Sequence, residues 1–427
     1  MSGDQPTKSS KALAEARAIV GDDLFASFEP DLAGGVDGQH SLAEADHDLR
    51  RLEAGHERTN GFAKIFPRAL TARSDGPLAD LKFVAKDMYA LAGHENHFGS
   101  NLRLGPAGRH AFVLAQLLGE GARLSGMAKM NEMALGPHGF NDLDGHVLNP
   151  IAPEYVPGGS SSGTGALIAD GAADFGLGSD TAGSIRIPAH CCGIVGYKPS
   201  HGIMSRRGTM TLCPGLDVVG PLARNMEVML RVVPSMLRDD PRDHDQHALA
   251  ALDGPIGPKR PTRIGYFPAL LAQCPERTSK AIEDVATMAT AHGVEMVALE
   301  GHPFAHLARA AIAFQSAEAY GTHRDHLDGE LIHDVTVRQR MQHGAGFAHA
   351  DHLLLAKARD LALVQWQDHY ASFDALIMPC MPIEIPTRQA YEDADPDGRM
   401  SLVGGITSLS RPVNYLRLPS IALPLPQ

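Results

Sequence analysis

Residues 157–205 constrain this chain more than any other stretch. They open with Pro157-Gly-Gly-Ser-Ser-Ser-Gly-Thr-Gly-Ala166 and continue with Gly176-Leu-Gly-Ser-Asp-Thr-Ala-Gly-Ser-Ile-Arg-Ile-Pro188. Charged side chains are few, and Ala166–Ile168, Phe175–Leu177 and Ile194–Tyr197 demand burial, so the stretch is not a surface linker. Its polar residues are irregularly placed, so it is not low complexity either. Small residues at this density let backbone segments pack closely or approach a ligand. The whole chain carries 44 glycines and 29 prolines in 427 residues, against about 30 and 21 at average usage. Part of that excess sits here.

Phosphate-loop readings of the block fail. A Walker A loop needs a lysine after its glycines, and none follows. A dinucleotide fingerprint needs Gly-x-Gly-x-x-Gly, whereas Gly176-x-Gly178 is followed by Gly183. Gly159-Ser-Ser-Ser-Gly163 matches the nucleophile elbow of the α/β-hydrolases formally. That elbow follows a strand directly, and Pro153 and Pro157 argue against a strand there. What remains is a row of hydroxyls in a glycine scaffold, with a lysine upstream at Lys86. A serine is a poor nucleophile until a base takes its proton. Lysine is such a base only when burial lowers its pKa. A glycine-rich turn before a serine aims several N–H groups at one point, the geometry of an oxyanion hole.

Elsewhere the pattern predicts strands alternating with helices. Leu81–Ala85 reads as a buried strand ending at Lys86 and Asp87. His110–Leu118 is helical, Arg123–Met127 strand-like, Ile264–Phe267 a strand, Lys280–His292 a helix and Val294–Leu299 a strand. Longer helices are expected over 305–320 and 350–370, and a buried strand over Phe373–Met378. Residues 233–262 read as a loop-rich excursion. A short helix is expected over Ala12–Val20. Ser41-Leu-Ala-Glu44 reads as a capping box for a helix ending near Gly55. The expected fold class is α/β: one large α/β/α domain over 41–427, with a mixed central sheet covered by helices on both faces, after a helical, partly flexible segment at 1–40.

Charge and cysteine narrow the function. The net charge is −12, and no run of Lys/Arg longer than a pair, such as Arg206-Arg207, offers a nucleic-acid footprint. Five cysteines without regular spacing argue against a disulfide framework and a zinc cluster. The 22 histidines form no His-Glu-x-x-His, and no metal is expected. The N-terminus lacks the apolar core of a signal peptide, and no apolar run approaches a membrane span. A cytoplasmic protein with no membrane contact is the expectation.

The block from Gly158 to Pro188 resembles the signature of the amidase signature family. Phe83-Val-Ala-Lys-Asp87, Gly99-Ser100, Lys129-Met-Asn-Glu132, Gly193-Ile-Val-Gly-Tyr-Lys-Pro-Ser-His-Gly202 and Leu216-Asp-Val-Val-Gly-Pro-Leu-Ala-Arg224 follow the family order. Phe373-Asp-Ala-Leu-Ile-Met-Pro379 and Pro412-Val-Asn-Tyr-Leu-Arg-Leu-Pro419 resemble its C-terminal landmarks. The resemblance covers about residues 40–427. It implies Ser184 as nucleophile, Ser160 as a serine on a cis peptide bond, and Lys86 as base. Ser161 would support the network around Lys86, and the backbone N–H groups of Thr181, Ala182, Gly183 and Ser184 would form the oxyanion hole. Asp180 would orient that loop; Arg186 would either position substrate or, the favoured reading, pair with a buried acid. Asn131, Glu132 and Asp217 would be structural, and Cys191 and Cys192 small apolar fillers.

Two departures stand out. Ala182 replaces a glycine common in the family, which a negative φ would accommodate. The chain ends at Ala422-Leu-Pro-Leu-Pro-Gln427, short for the family, which would reduce the sheet edge and pocket. The implied function is hydrolysis of a small aliphatic or aryl amide, carbamate or urea-type compound, without cofactor, in a chain that by default would be a homodimer. The alternatives are an amidotransferase component that releases ammonia from glutamine for a partner, and an inactive scaffold.

Overall fold

The computed structural model describes residues 42–45, 48–247, 249, 259–304, 306–327 and 330–425. In chain order, β1 (Ala43–Ala45), α1 (Leu49–Thr59), β2 (Phe62–Thr71), β3 (Lys82–Lys86), α2 (Phe112–Gly119), β4 (Arg123–Ala128), α3 (Ser162–Ala169), β5 (Phe175–Asp180), α4 (Arg186–Cys191), β6 (Val195–Lys198), β7 (Val218–Ala223) and α5 (Met226–Met236) come first. Then follow β8 (Arg263–Tyr266), α6 (Glu276–Ala291), β9 (Glu295–Ala298), α7 (Ala308–His323), α8 (Val335–Gln342), α9 (His349–Tyr370), β10 (Ala375–Ile377), α10 (Pro396–Thr407), α11 (Ser410–Tyr415) and β11 (Ser420–Ala422).

Eight strands form one mixed sheet in the order β1-β2-β4-β3-β5-β7-β6-β11. Its centre is parallel, β4 with β3 and β3 with β5, and its flanks are antiparallel. Because side chains alternate along a strand, β3 and β5 each serve two cores. Phe83, Ala85, Phe175 and Leu177 face one core with Val113, Leu114 and Leu117 of α2 and Val228 and Val232 of α5. Val84 faces the other with Leu167 and Ile168 of α3 and Ile185. Helices therefore cover both faces, as expected. The rings of Phe83 and Phe175 stack across the parallel pair at 5.0 Å. Lys86 has the parity of Val84 and so lies on the α3 side.

Three expectations are corrected, and one helix is added. Glu44 lies in β1, paired with Leu70, so it caps no helix; α1 is capped by Asp48, whose side chain accepts from Arg51 N at 3.1 Å. Ser41 and the helix expected at Ala12–Val20 lie outside the described residues. The 373–378 strand is not buried in the central sheet. It forms the half-exposed β10 of a second, parallel sheet, β10-β8-β9. Asp374 sets that pairing by accepting the N–H groups of Thr262 and Arg263 at 2.7 and 3.0 Å. Helix α5 reaches Met236 despite Pro234, so the loop-rich stretch begins later. Helix α8 was not anticipated; Asp334 starts it by accepting from Thr336 N and Val337 N.

Candidate active site

Strands β3 and β5 run parallel and adjacent, so their C-terminal ends meet at one sheet edge. That edge is where α/β folds place ligands. Lys86 ends β3, and Ser179 and Asp180 end β5. The Lys86 side chain is fully buried. Its Nζ lies 2.7 Å from Ser160 Oγ and 2.8 Å from Ser179 Oγ. No carboxylate lies within 4 Å of it among the described residues. Burial pulls its pKa down to about 7, against the opposing pull of Asp217 and Asp180.

Ser160 follows the cis peptide bond Gly159-Ser160, as the resemblance implied. Gly159 is confined: a Cβ there would sit 2.2 Å from Asn131 Oδ1 and 2.6 Å from the Gly136 carbonyl. Asn131 N donates to Ser160 O at 3.2 Å, so the 131–136 segment forms one wall of the site. Ser161 precedes α3 but makes no side-chain cap. It makes no hydrogen bond to Lys86 either. Its Oγ bonds the backbone of Ser179, accepting from the N at 3.3 Å and donating to the O at 3.4 Å. Ser161 thus acts on Lys86 one step removed, through Ser179.

The loop after β5 is set by Asp180. Its carboxylate accepts from Gly183 N at 2.7 Å, Ile185 N at 3.2 Å, and Arg186 Nε and Nη2, both at 2.9 Å. Burial alone would raise its pKa; the bidentate Arg186 outweighs that and holds it well below the usual carboxylate range. Arg186 also donates to Ser410 O and Asn414 Oδ1, so the expected ion pair with a buried acid is present. Gly183 has φ +124°, and a Cβ there would lie 2.3 Å from Ser410 Oγ. Ala182 does not need positive φ. Thr181 Oγ1 donates to Asp217 Oδ1 at 2.6 Å.

Of the four expected oxyanion donors, the Gly183 N–H is already bonded to Asp180. The N–H groups of Thr181, Ala182 and Ser184 have no intramolecular partner among the described residues. Ser184 is 9% exposed while Ser160 is fully buried. Ser161 N donates to Ser184 O at 3.3 Å, which holds the two serine segments side by side. Among the described residues no hydrogen bond joins Ser160 Oγ to Ser184 Oγ. Cys191 and Cys192 are buried beside α4, and burial pushes the Cys192 thiol up to about 12. No cluster of three metal-ligating side chains occurs among the described residues, and no described helix is long and apolar enough to cross a membrane.

Sequence reasoning missed Ser179, Ser410 and Asn414. Ser179 stands in the block already singled out and ends β5, which runs parallel to and beside β3, but nothing in the sequence separates it from the other hydroxyls there. Nothing local marks Ser410, whose Oγ donates to Ala182 O at 2.6 Å from 228 residues away. Ser179→Ala removes one of the two partners of Lys86 Nζ. A hydrogen bond of this kind contributes about 1 kcal/mol, so the variant is expected to lower kcat/KM for an amide roughly five- to tenfold, mostly through kcat. Steady-state kinetics check this.

The model of the amidase family matches residues 49–427. The A subunit of glutamyl-tRNA(Gln) amidotransferase from Methanosarcina mazei is 38% identical over 196 residues, covering 44% of this chain and 41% of that protein. The match thus spans about two fifths of that relative's length. The corresponding protein of Symbiobacterium thermophilum is 30% identical over 380 residues, covering 82% of this chain and 77% of that one. Among solved structures, an inhibitor-bound vestigial protein complex bearing on the origins of an s-triazine catabolic enzyme superposes with a TM-score of 0.74. It is 27% identical, covering 87% of this chain and 85% of that one.

Proposed function

The chain belongs to the amidase signature family, and from that premise we propose that it hydrolyses a small amide through an acyl-enzyme on Ser184. The observation that carries the reading is the fully buried Lys86 amine, 2.7 Å from Ser160 Oγ, with no carboxylate to hold its proton. A neutral amine donates to Ser179 and takes the proton of Ser160 on its lone pair. Ser160 in turn takes the proton of Ser184, whose segment is tied to it by the Ser161 N to Ser184 O bond. Ser184 Oγ attacks the carbonyl carbon. The negative charge that develops on the carbonyl oxygen is received by the unengaged N–H groups of Thr181, Ala182 and Ser184. The proton returns through Ser160 to the departing nitrogen, and water then cleaves the ester.

The sign of the pH dependence follows from Lys86. The base works unprotonated, and its pKa stands at about 7. On a neutral amide, kcat/KM is expected to fall about tenfold per pH unit well below 7 and to level off above it. A pH–rate profile of the free enzyme measures this; a flat profile from pH 5 to 9 contradicts it.

Amides, carbamates and ureas all present a carbonyl to this arrangement. A panel of amides, anilides, carbamates and ureas, read by mass spectrometry with the purified chain alone, tests the reading. Release of amine or ammonia by the wild type and not by Ser184→Ala is the expected result. The relatives at 38% and 30% identity are components of amidotransferases, which favours a second reading in which ammonia from glutamine passes to a partner. That reading predicts glutaminase activity only when the partner proteins are added.

A further inference from the structure

Among the described residues α9 is the longest helix, 22 residues from His349 to Tyr370. One side of it is committed to the fold. Leu355 and Ala356 pack on the main core, and Ala362, Leu363, Trp366 and Tyr370 on a second apolar cluster. The opposite side is not. Leu354 is 66% exposed, Leu361 59% and Val364 54%. They belong to the series 354, 357, 361, 364, 368, 371, in which steps of three and four alternate. The series reads Leu, Lys, Leu, Val, Asp, Ala, and every member is exposed. It keeps one line along the helix, because Ala371 still holds helical dihedrals. Such spacing gives the a and d positions of a seam by which one helix lies along another. Neither Lys357 nor Asp368 has an ionic partner among the described residues.

A seam covered by a second copy must be complementary to itself across a two-fold axis. Parallel helices set like positions opposite each other. Lys357 would then meet the partner's Lys357, and Asp368 the partner's Asp368, which is repulsive. Antiparallel helices set a against d, and three registers keep the apolar side chains of this stripe in reach of one another. One puts Lys357 against the partner's Leu361, and another puts Asp368 against the partner's Val364. In the third, Leu361 lies against the partner's Val364, Leu354 against the partner's Ala371, and Lys357 against the partner's Asp368. Each of these contacts occurs twice by symmetry. Only that register matches apolar with apolar and cation with anion throughout, and the charges penalise the alternatives.

We propose that the outer face of α9 is the interface of a homodimer. Two copies pair antiparallel, with Leu361 and Val364 at the centre and a Lys357–Asp368 ion pair closing each end. Sedimentation equilibrium of the full-length chain measures the dissociation constant. Leu361→Asp is expected to raise it at least roughly 100-fold, since an acid then faces apolar side chains at both symmetric positions. Lys357→Glu and Asp368→Lys are each expected to raise it at least roughly tenfold. The double variant is expected to restore it to within about threefold, because the exchanged charges attract again. All three side chains are exposed, so circular dichroism of each variant is expected to match the wild type. A wild type that stays monomeric at every concentration, as it would if residues 1–41 or another protein covered the seam, overturns the proposal. A dimer that survives Leu361→Asp places the interface elsewhere and overturns it too. Charge reversals that weaken the dimer singly but fail to rescue each other overturn the antiparallel register.

Discussion

Ser184→Ala is expected to lower kcat for amide hydrolysis by about a millionfold, the scale seen when a serine nucleophile acting in a concerted unit is removed. No other group stands ready to replace it. Ser160 is fully buried and Ser161 is engaged with Ser179. The cysteines near the site are buried, and burial raises the Cys191 and Cys213 thiols well above their ordinary value. Residual rate should reflect only substrate held against the free N–H groups. Folding should be untouched, because Ser184 Oγ makes no hydrogen bond among the described residues. Its backbone carbonyl, which holds Ser161 N, remains. Single-turnover kinetics with the melting temperature alongside check both halves.

Lys86→Met is the second large effect. It removes the proton acceptor and is expected to lower kcat by at least roughly 1,000-fold. Its stability signature sets it apart from an ordinary core lesion. Lys86 is fully buried with two hydroxyl partners and no counter-ion, so its ammonium form is strongly disfavoured in the fold. Methionine fills similar volume without a charge to desolvate. The variant is therefore expected to melt no lower than the wild type. The pH dependence below 7 should vanish along with the activity. A variant that keeps activity, or that retains the same pH profile, would show that the base lies elsewhere.

The sequence was most legible where backbone constraints are strongest. The short apolar run Leu81–Ala85 marks a buried strand, which forms as β3, and the demand of Phe175–Leu177 for burial is met in β5. The glycine at 183 is readable because nothing larger fits the turn there. Arg186 was expected to pair with a buried acid, and that acid is Asp180, six residues before it, because α4 begins immediately after the loop. What escaped depends on long-range approach. The Ser410 and Asn414 contacts cross more than 220 residues. Ser161 was expected in the network around Lys86 and takes part through the backbone of Ser179, whose own Oγ meets Nζ. Glu44 looked like half of a capping box, yet the antiparallel partner offered by β2 won it for a strand. The second sheet escaped for a related reason: the short runs 264–267, 294–299 and 373–378 have the pattern of strands but carry no mark of which sheet they join.

The sharpest test of the account is peptide mapping by mass spectrometry after treatment with a serine-directed fluorophosphonate at pH 8, where Lys86 with a pKa of about 7 is largely neutral. The account predicts one adduct, on Ser184. It should be absent in Ser184→Ala and formed at least roughly 100-fold more slowly in Lys86→Met. An adduct on another residue, or an amide-hydrolysing chain whose Ser184 stays unlabelled, would contradict it.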